Sequence, residues 1–188
     1  AAALYAAVAE APQSLWTYLP FGPFSDAEAV GQVIDRQVTA ADWQPFAVLV
    51  AGRVAGFLSY LRIDPPGGVI EIGSIVFPPA LQRTTPATEA VYLLIRRAFD
   101  LGYRRCEWKC DDLNAPSRAA ALRFGFTYDG TFRKATHYKG RNRDTAWFSI
   151  TDDQWPSLDA RFRAWLAPDN FDAAGHQHRA LGAVDPTG

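Results

Sequence analysis

The clearest alternation of apolar and polar positions lies between residues 71 and 99. Glu71-Ile72-Gly73-Ser74-Ile75-Val76-Phe77 is rich in β-branched residues and ends at Pro78-Pro79, the mark of a strand and its stop. A short polar loop, Gln82-Arg83-Thr84-Thr85-Pro86, comes next. Ala87, Ala90, Val91, Leu94, Ile95, Ala98 and Phe99 then recur at the 3.6-residue period, which predicts a helix packed on a core. Pro86 fits its first turn, where a missing N–H costs nothing, and Gly102 closes it.

The same reasoning extends to both sides. Short helices are expected at 1–10 and, as helix or turn, at 14–19. Trp16, Tyr18 and Phe21 form an aromatic cluster that packs a core or walls a pocket. Ser25-Asp26-Ala27-Glu28 is a capping box before a helix bearing Val30, Val33, Ile34 and Val38. Strands at 45–51, 54–63 and 69–77, joined by turns at Gly52-Arg53 and 64–68, form an antiparallel meander. A strand at 103–110 follows the central helix. Asn114 caps a helix that holds Pro116 in its first turn and stops at Gly125. Strands at 126–132 and 145–150 flank a charged hairpin tip at 139–144, with Trp147 and Phe148 on opposite faces. Thr151-Asp152-Asp153-Gln154 opens a last helix carrying Trp155, Leu158, Phe162, Trp165 and Leu166. From 167 the pattern fades into Pro, Asp, Gly and His. The expectation is one α+β (mixed α/β) domain over 1–166 and a tail over 167–188. The strand–helix–strand units after Val69 imply parallel pairing in the middle of the sheet.

Composition narrows the function classes. The chain has 188 residues, 48% of them hydrophobic, and a net charge of −1. That is a globular domain with no bias toward nucleic acid or a membrane surface. No apolar run reaches the ~18 residues of a membrane span, and the Ala-rich opening lacks the basic residues of a signal peptide. Cys106 and Cys110 lie on one predicted strand, roughly 13 Å apart if extended, too far to pair. They have no nearby metal-ligand partners, so reduced thiols in a cytosolic protein are expected. The start at Ala1 and the absence of Met suggest that a natural N-terminal segment is missing.

Three segments carry a family resemblance. They are Glu71 to Phe77 with Leu81-Gln82-Arg83-Thr84-Thr85-Pro86-Ala87-Thr88-Glu89-Ala90; Asn114-Ala115-Pro116-Ser117-Arg118-Ala119-Ala120-Ala121-Leu122-Arg123-Phe124-Gly125-Phe126; and Gly140-Arg141-Asn142-Arg143-Asp144-Thr145-Ala146-Trp147-Phe148-Ser149-Ile150. Together they make the chain resemble the GCN5-related N-acetyltransferases (GNAT), RimJ/RimL-type branch, over about 15–165. The resemblance implies a splayed mixed sheet flanked by helices, with acetyl-CoA as cosubstrate wedged into the opening. It implies that Gln82, Arg83, Thr84, Thr85, Ala87 and Thr88 cradle the diphosphate. Ile75, Val76 and Phe77 would bind the pantetheine and acetyl group through backbone, and Asn114 would touch the pantetheine arm. Ser117 and Ala120 would lie along the thiol, with Ser117 protonating the leaving thiolate. Two departures stand out. The family's central loop glycine is Thr85 here, and the position that supplies a glutamate base in the ribosomal-protein enzymes is Thr136. The family's usual first strand is also absent from the sequence pattern.

The residues themselves add a chemical argument. The open end of a helix offers unpaired N–H groups and roughly +0.5 charge, a site for a diphosphate. An ordinary turn with a solvated Arg83 shows the same pattern. Attack on a thioester needs a neutral amine. For a lysine that costs about 4–5 kcal/mol at pH 7, for an α-amine only about 1 kcal/mol. Glu71 and His137 are the candidate bases, against readings as a paired strand carboxylate and an exposed hairpin histidine. Ser117 as acid competes with Ser117 as a helix-start donor. Arg141, Arg143 and Asp144 shape an acceptor mouth or form a solvated tip, the latter favoured for Arg141. The expected activity is direct acetyl transfer to a primary amine, either a small amine or a peptide N-terminal α-amine. A non-catalytic acyl-CoA-binding domain and a longer-chain acyltransferase are the alternatives. A homodimer is compatible with the pattern, but no interface signature marks one.

Overall fold

The computed structural model describes residues 1–183. Its frame is a six-stranded sheet made of β1 (Trp43–Val50), β2 (Arg53–Asp64), β3 (Val69–Val76), β4 (Arg105–Asp111), β5 (Thr127–Tyr138) and β6 (Arg141–Thr151). The spatial order is β1-β2-β3-β4-β6-β5. Neighbours are antiparallel except β3 and β4, which are parallel because α3 (Thr85–Asp100) connects them by a crossover. α1 (Ala2–Val8) and α2 (Ala27–Thr39) cover one face, and α3, α4 (Ala115–Phe124) and α5 (Trp155–Leu166) the other.

The parallel pair is short. Val69↔Arg105, Ile70↔Cys106 and Glu71↔Glu107 are its only partners. Beyond them β3 stays paired with β2 out to Val76↔Phe57, and β4 with β6 out to Asp111↔Thr145. The sheet therefore forks after Glu71 and Glu107. Within the fork β3 carries a bulge, where Ser74 adopts a left-handed φ of +51°. The extra residue reverses the alternation. Ile70 and Ile72 face α3 before it, and Ile75 still packs there after it, while Val76 turns to the α1–α2 side.

Two apolar clusters anchor the layers. The larger joins Ile70, Ile72, Cys106, Trp108, Cys110, Ala146, Phe148 and Ile150 of the strands to Val91, Ile95 and Ala98 of α3, Ala121 and Phe124 of α4, and Trp155, Phe162 and Trp165 of α5. A fully buried side chain such as Phe162 contributes about 1.5–3 kcal/mol by leaving water. The smaller joins Leu4, Val8, Trp16, Val30, Phe57 and Val76.

Several boundaries differ from the sequence expectation. The cap of α2 is Asp26, whose carboxylate accepts from the Ala29 N–H at 2.8 Å, while Ser25 only donates to Asp26. The β5–β6 hairpin is longer than expected, with its tip at Lys139-Gly140. Its outer half shows no strand alternation in the sequence because Lys134 sits at φ +50° in a bulge. The segment after α5 is anchored on the body at Asn170, Phe171 and Leu181, with 172–180 exposed between them. Leu181 is buried in the larger cluster, and Asn170 donates to the Trp165 carbonyl at 2.9 Å. The tail is thus docked at least through Leu181, and 184–188 lie outside the described residues.

Candidate active site

The fork sits between two helix N-termini. Thr84 caps α3, accepting from the Ala87 N–H at 3.3 Å, and Pro86 occupies the first turn. The left-handed residue of this loop is Arg83, at φ +60°. Thr85, which stands where the family has its central loop glycine, is already helical, so its Cβ meets no conformational penalty. Among the described residues, the backbone N–H groups of Arg83 and Thr85 find no acceptor. Two free N–H groups at the positive end of a helix, beside an exposed guanidinium, fit a diphosphate. The Gln82 side chain instead donates to the Phe77 carbonyl at 2.7 Å and fixes the loop on the end of β3. Ala87 and Thr88 are buried. The Thr88 hydroxyl is engaged by the Thr84 carbonyl and by Arg123, so these two residues shape the loop from beneath.

On the other side of the fork, Asn114 caps α4 by accepting from the Ser117 N–H at 3.2 Å. Gly125 closes the same helix at φ +94°. Ser117 Oγ accepts from the indole N–H of the buried Trp108 at 3.0 Å. A hydroxyl that accepts there keeps its own hydrogen to donate. Ala120 lies one turn further on, partly buried against the core. Ile75 and Phe77 are half-buried, and Val76 is fully buried. The β4-facing edge of β3 has no strand partner past Glu71, which leaves backbone groups there for a ligand.

On the α1–α2 side a cavity of about 860 Å³ opens against the fork. Pro20, Arg62, Lys109, Phe132, Arg133, Ala135, Thr136, Tyr138, Arg143, Thr145 and Trp147 line it. An ion-pair network underlies this wall. Glu71 is 2.5 Å from Arg62 and 3.0 Å from Lys109, and Lys109 is 2.7 Å from Glu107. Glu107 meets Arg105 at 2.8 Å, which meets Asp129 at 2.7 Å. The Lys109 ammonium also lies 3.7 Å from the centre of the Trp147 ring. Burial pushes the Glu71 carboxyl above its ordinary range, although Arg62 and Lys109 pull the other way.

The hairpin is clamped over the cavity. Asp111, almost fully buried, accepts from Tyr138 at 3.0 Å, Arg141 at 2.7 Å and the Leu113 N–H at 3.0 Å. Lys139 donates to the Trp16 carbonyl at 2.7 Å, and Tyr18 to the Leu113 carbonyl at 3.1 Å. Arg141 is therefore an ion-paired clamp and not a solvated tip. Asp144 accepts from the Lys134 N–H at 2.7 Å and so holds the β5 bulge.

The structure brings Glu71, Ser117, Asn114 and the 82–88 loop around one fork. It does not bring His137 there. His137 is exposed and lies outside the cavity lining, while its neighbours Thr136 and Tyr138 face in. Glu71 sits behind Arg62 and Lys109. Both cysteines are buried and unpaired, and burial pushes both thiols up, away from nucleophilic use. Sequence reasoning missed Arg62, Glu107, Lys109 and Trp147. Its available signal was the run Arg105, Glu107, Lys109, Asp111, charged at every second position of β4.

Known proteins share this architecture. A structure titled a GCN5-related N-acetyltransferase from Brucella melitensis is 46% identical, with a TM-score of 0.92 over 96% of this chain and 83% of that one. A probable acetyltransferase of the GNAT family from Chromobacterium violaceum is 47% identical, with a TM-score of 0.79 over 82% of this chain and 79% of that one. An acetyltransferase from Salmonella typhimurium that modifies the N-terminal serine of ribosomal protein L7/L12 is 21% identical, with a TM-score of 0.70 over 79% of this chain and 87% of that one. At that identity the likeness is one of fold. No curated protein matches the chain, and no helix among the described residues is long and apolar enough to cross a membrane. The family model for the acetyltransferase (GNAT) domain matches residues 1–127, and with this fork, these two helix starts and these relatives, the chain belongs to the GNAT acetyltransferases.

Proposed function

We propose that the chain transfers acetyl directly from acetyl-CoA to a primary amine, a small amine or a peptide N-terminal α-amine, in a ternary complex. The observation that carries this reading is the fork between β3 and β4, open at the starts of α3 and α4 and backed by the cavity. Acetyl-CoA supplies a thioester carbonyl. The N–H groups of Arg83 and Thr85 and the Arg83 guanidinium hold its diphosphate. The free backbone edge of β3 at Ile75, Val76 and Phe77, with Asn114, holds the pantetheine arm and stabilises the carbonyl oxygen as it gains charge. Ser117, oriented by Trp108, donates a hydrogen bond to the departing thiolate.

Amine activation follows from the cavity wall. Among the described residues no carboxylate and no histidine lines it. Glu71 meets the wall only through Arg62 and Lys109, so it positions those cations and does not reach an acceptor nitrogen. Arg62, Lys109, Arg133 and Arg143 all disfavour a second positive charge and so favour the neutral amine. This suits an α-amine, which is within about 1 kcal/mol of neutral at pH 7. The Salmonella protein's N-terminal serine target is of this kind.

The test is release of free CoA thiol from acetyl-CoA across a panel of matched α- and ε-amines. Preferential turnover of α-amines is expected. Equal turnover of ε-amines would remove the α-amine assignment, and acetyl-CoA binding without turnover of any amine would leave an acyl-CoA-binding domain.

A further inference from the structure

We propose that the acceptor is an amine that also carries an anionic group, a carboxylate or a phosphate, and that Arg143 anchors this group. The amine half rests on the acetyl-transfer reading above; the anion site stands on its own geometry. Four cations line the cavity, and they fall into two classes. Arg62 and Lys109 are balanced by Glu71 and Glu107. Arg133 and Arg143 have no acidic partner among the described residues, and no Asp or Glu lines the cavity to supply one.

Arg143 is the more telling of the two. Arg133 is exposed, so water serves it. Arg143 is only half-exposed, its side chain makes no hydrogen bond among the described residues, and its Nε is buried without an acceptor. Its one partner is the face of Tyr138, 5.8 Å from the guanidinium carbon. Arg141, two residues earlier on β6, meets buried Asp111 at 2.7 Å, so this strand is able to satisfy an arginine where a protein partner is meant. The nearby acids are committed elsewhere: Asp111 to Tyr138 and Arg141, Asp144 to the Lys134 N–H. The indole N–H of Trp147, in the same wall, is also buried without an acceptor.

An Nε–H that has lost water without gaining an acceptor, on a guanidinium without a counter-charge, is costly. A ligand carboxylate or phosphate removes that cost, and the planar fork of Arg matches either one in bidentate fashion. Phe132 packs on Trp147 at 4.8 Å beside it and offers an apolar wall for the body of the acceptor. With the anion at Arg143, the amine lies on the Lys109 side, toward the fork.

The experiment measures kcat/KM, expressed per neutral amine because the anion raises the amine pKa, for acceptors paired with and without the anionic group: phenylalanine against phenylalaninamide, and O-phosphoethanolamine against ethanolamine. The anionic member of at least one pair is expected to be favoured by about 10- to 100-fold. The favoured pair identifies carboxylate or phosphate as the source. Arg143→Gln is expected to bring that ratio close to one, and Arg143→Lys to restore part of it. Calorimetric binding of N-acetylphenylalanine, N-acetylphenylalaninamide, N-acetyl-O-phosphoethanolamine and N-acetylethanolamine gives a readout that needs no turnover. Equal or better use of the neutral member in both pairs overturns the proposal and leaves acetyl transfer standing. Selective binding of the anionic products to the wild type but not to Arg143→Gln, with no turnover of any amine, keeps the anion site and overturns the acetyl-transfer reading. If Arg143→Gln does not fold by circular dichroism, the wild-type ratios alone decide.

Discussion

Strand β4 has two buried faces made of opposite materials. Cys106, Trp108 and Cys110 enter the apolar layer under α3 and α4, while Glu107, Lys109 and Asp111 are equally hidden on the other side, among ions. The apolar face is non-directional: lost contact there costs in proportion to the area or cavity left behind. The ionic face works as a set. Each charge was taken out of water at a cost that only its partners offset, so deleting one member strands the others. One strand thus ties the apolar core to the charged wall of the cavity.

This contrast sets the order of expected effects. Lys109→Met leaves Glu71 with Arg62 alone and Glu107 with Arg105 alone, and is expected to cost about 3 kcal/mol in chemical unfolding, the low end for a broken buried pair. Adding Glu71→Gln and Glu107→Gln to it is expected to recover part of that loss. A cost below about 1 kcal/mol for the single change would mean that the network is not a set. Asp111→Asn releases Tyr138 and Arg141 from the hairpin clamp, at about 1.5–3 kcal/mol for hydrogen bonds to a charge. Its signature is faster amide exchange in the β5–β6 hairpin together with a raised KM for the acceptor. Ile95→Val, in the apolar face, is expected to cost only about 0.5–1.5 kcal/mol and to leave kcat unchanged.

The smallest effect is a pH dependence. Burial raises the Glu71 carboxyl in the folded chain, so on acidification the folded state takes up this proton before the unfolded state does. In that window, just above the ordinary glutamate range, the native state binds more protons and the Glu71 contribution to stability grows as pH falls. Relative to Glu71→Gln, the wild type should gain stability on lowering the pH through this window, read from unfolding midpoints. The opposite slope would show that Arg62 and Lys109 outweigh burial.

How much was legible in the sequence follows the same divide. The β3–loop–α3 unit, the Asn114 cap and the Gly125 stop are local events, set by residues three or four apart, and periodicity and caps exposed them. The fork itself followed only from the family resemblance, because nothing local to β3 says that its pairing ends at Glu71. The clamp and the docked C-terminal segment depend on partners far apart in the chain. Arg141 reaches Asp111, Lys139 reaches Trp16, and Leu181 enters the main core. A charged hairpin with a bulge at Lys134 looks like a solvated loop until those partners are known. The two faces of β4 were written plainly in its alternation, but the value of the charged face came from Glu71 on the neighbouring β3 and Arg62 on β2 beyond it.

The central claim is that the fork and the start of α3 form one binding site. A crystal structure of the chain with acetyl-CoA tests it most directly. The account predicts the diphosphate against the Arg83 and Thr85 N–H groups and the thioester beside Ile75 to Phe77, with its sulfur near Ser117. Density for the nucleotide at any other surface, or no binding at saturating acetyl-CoA, would contradict it.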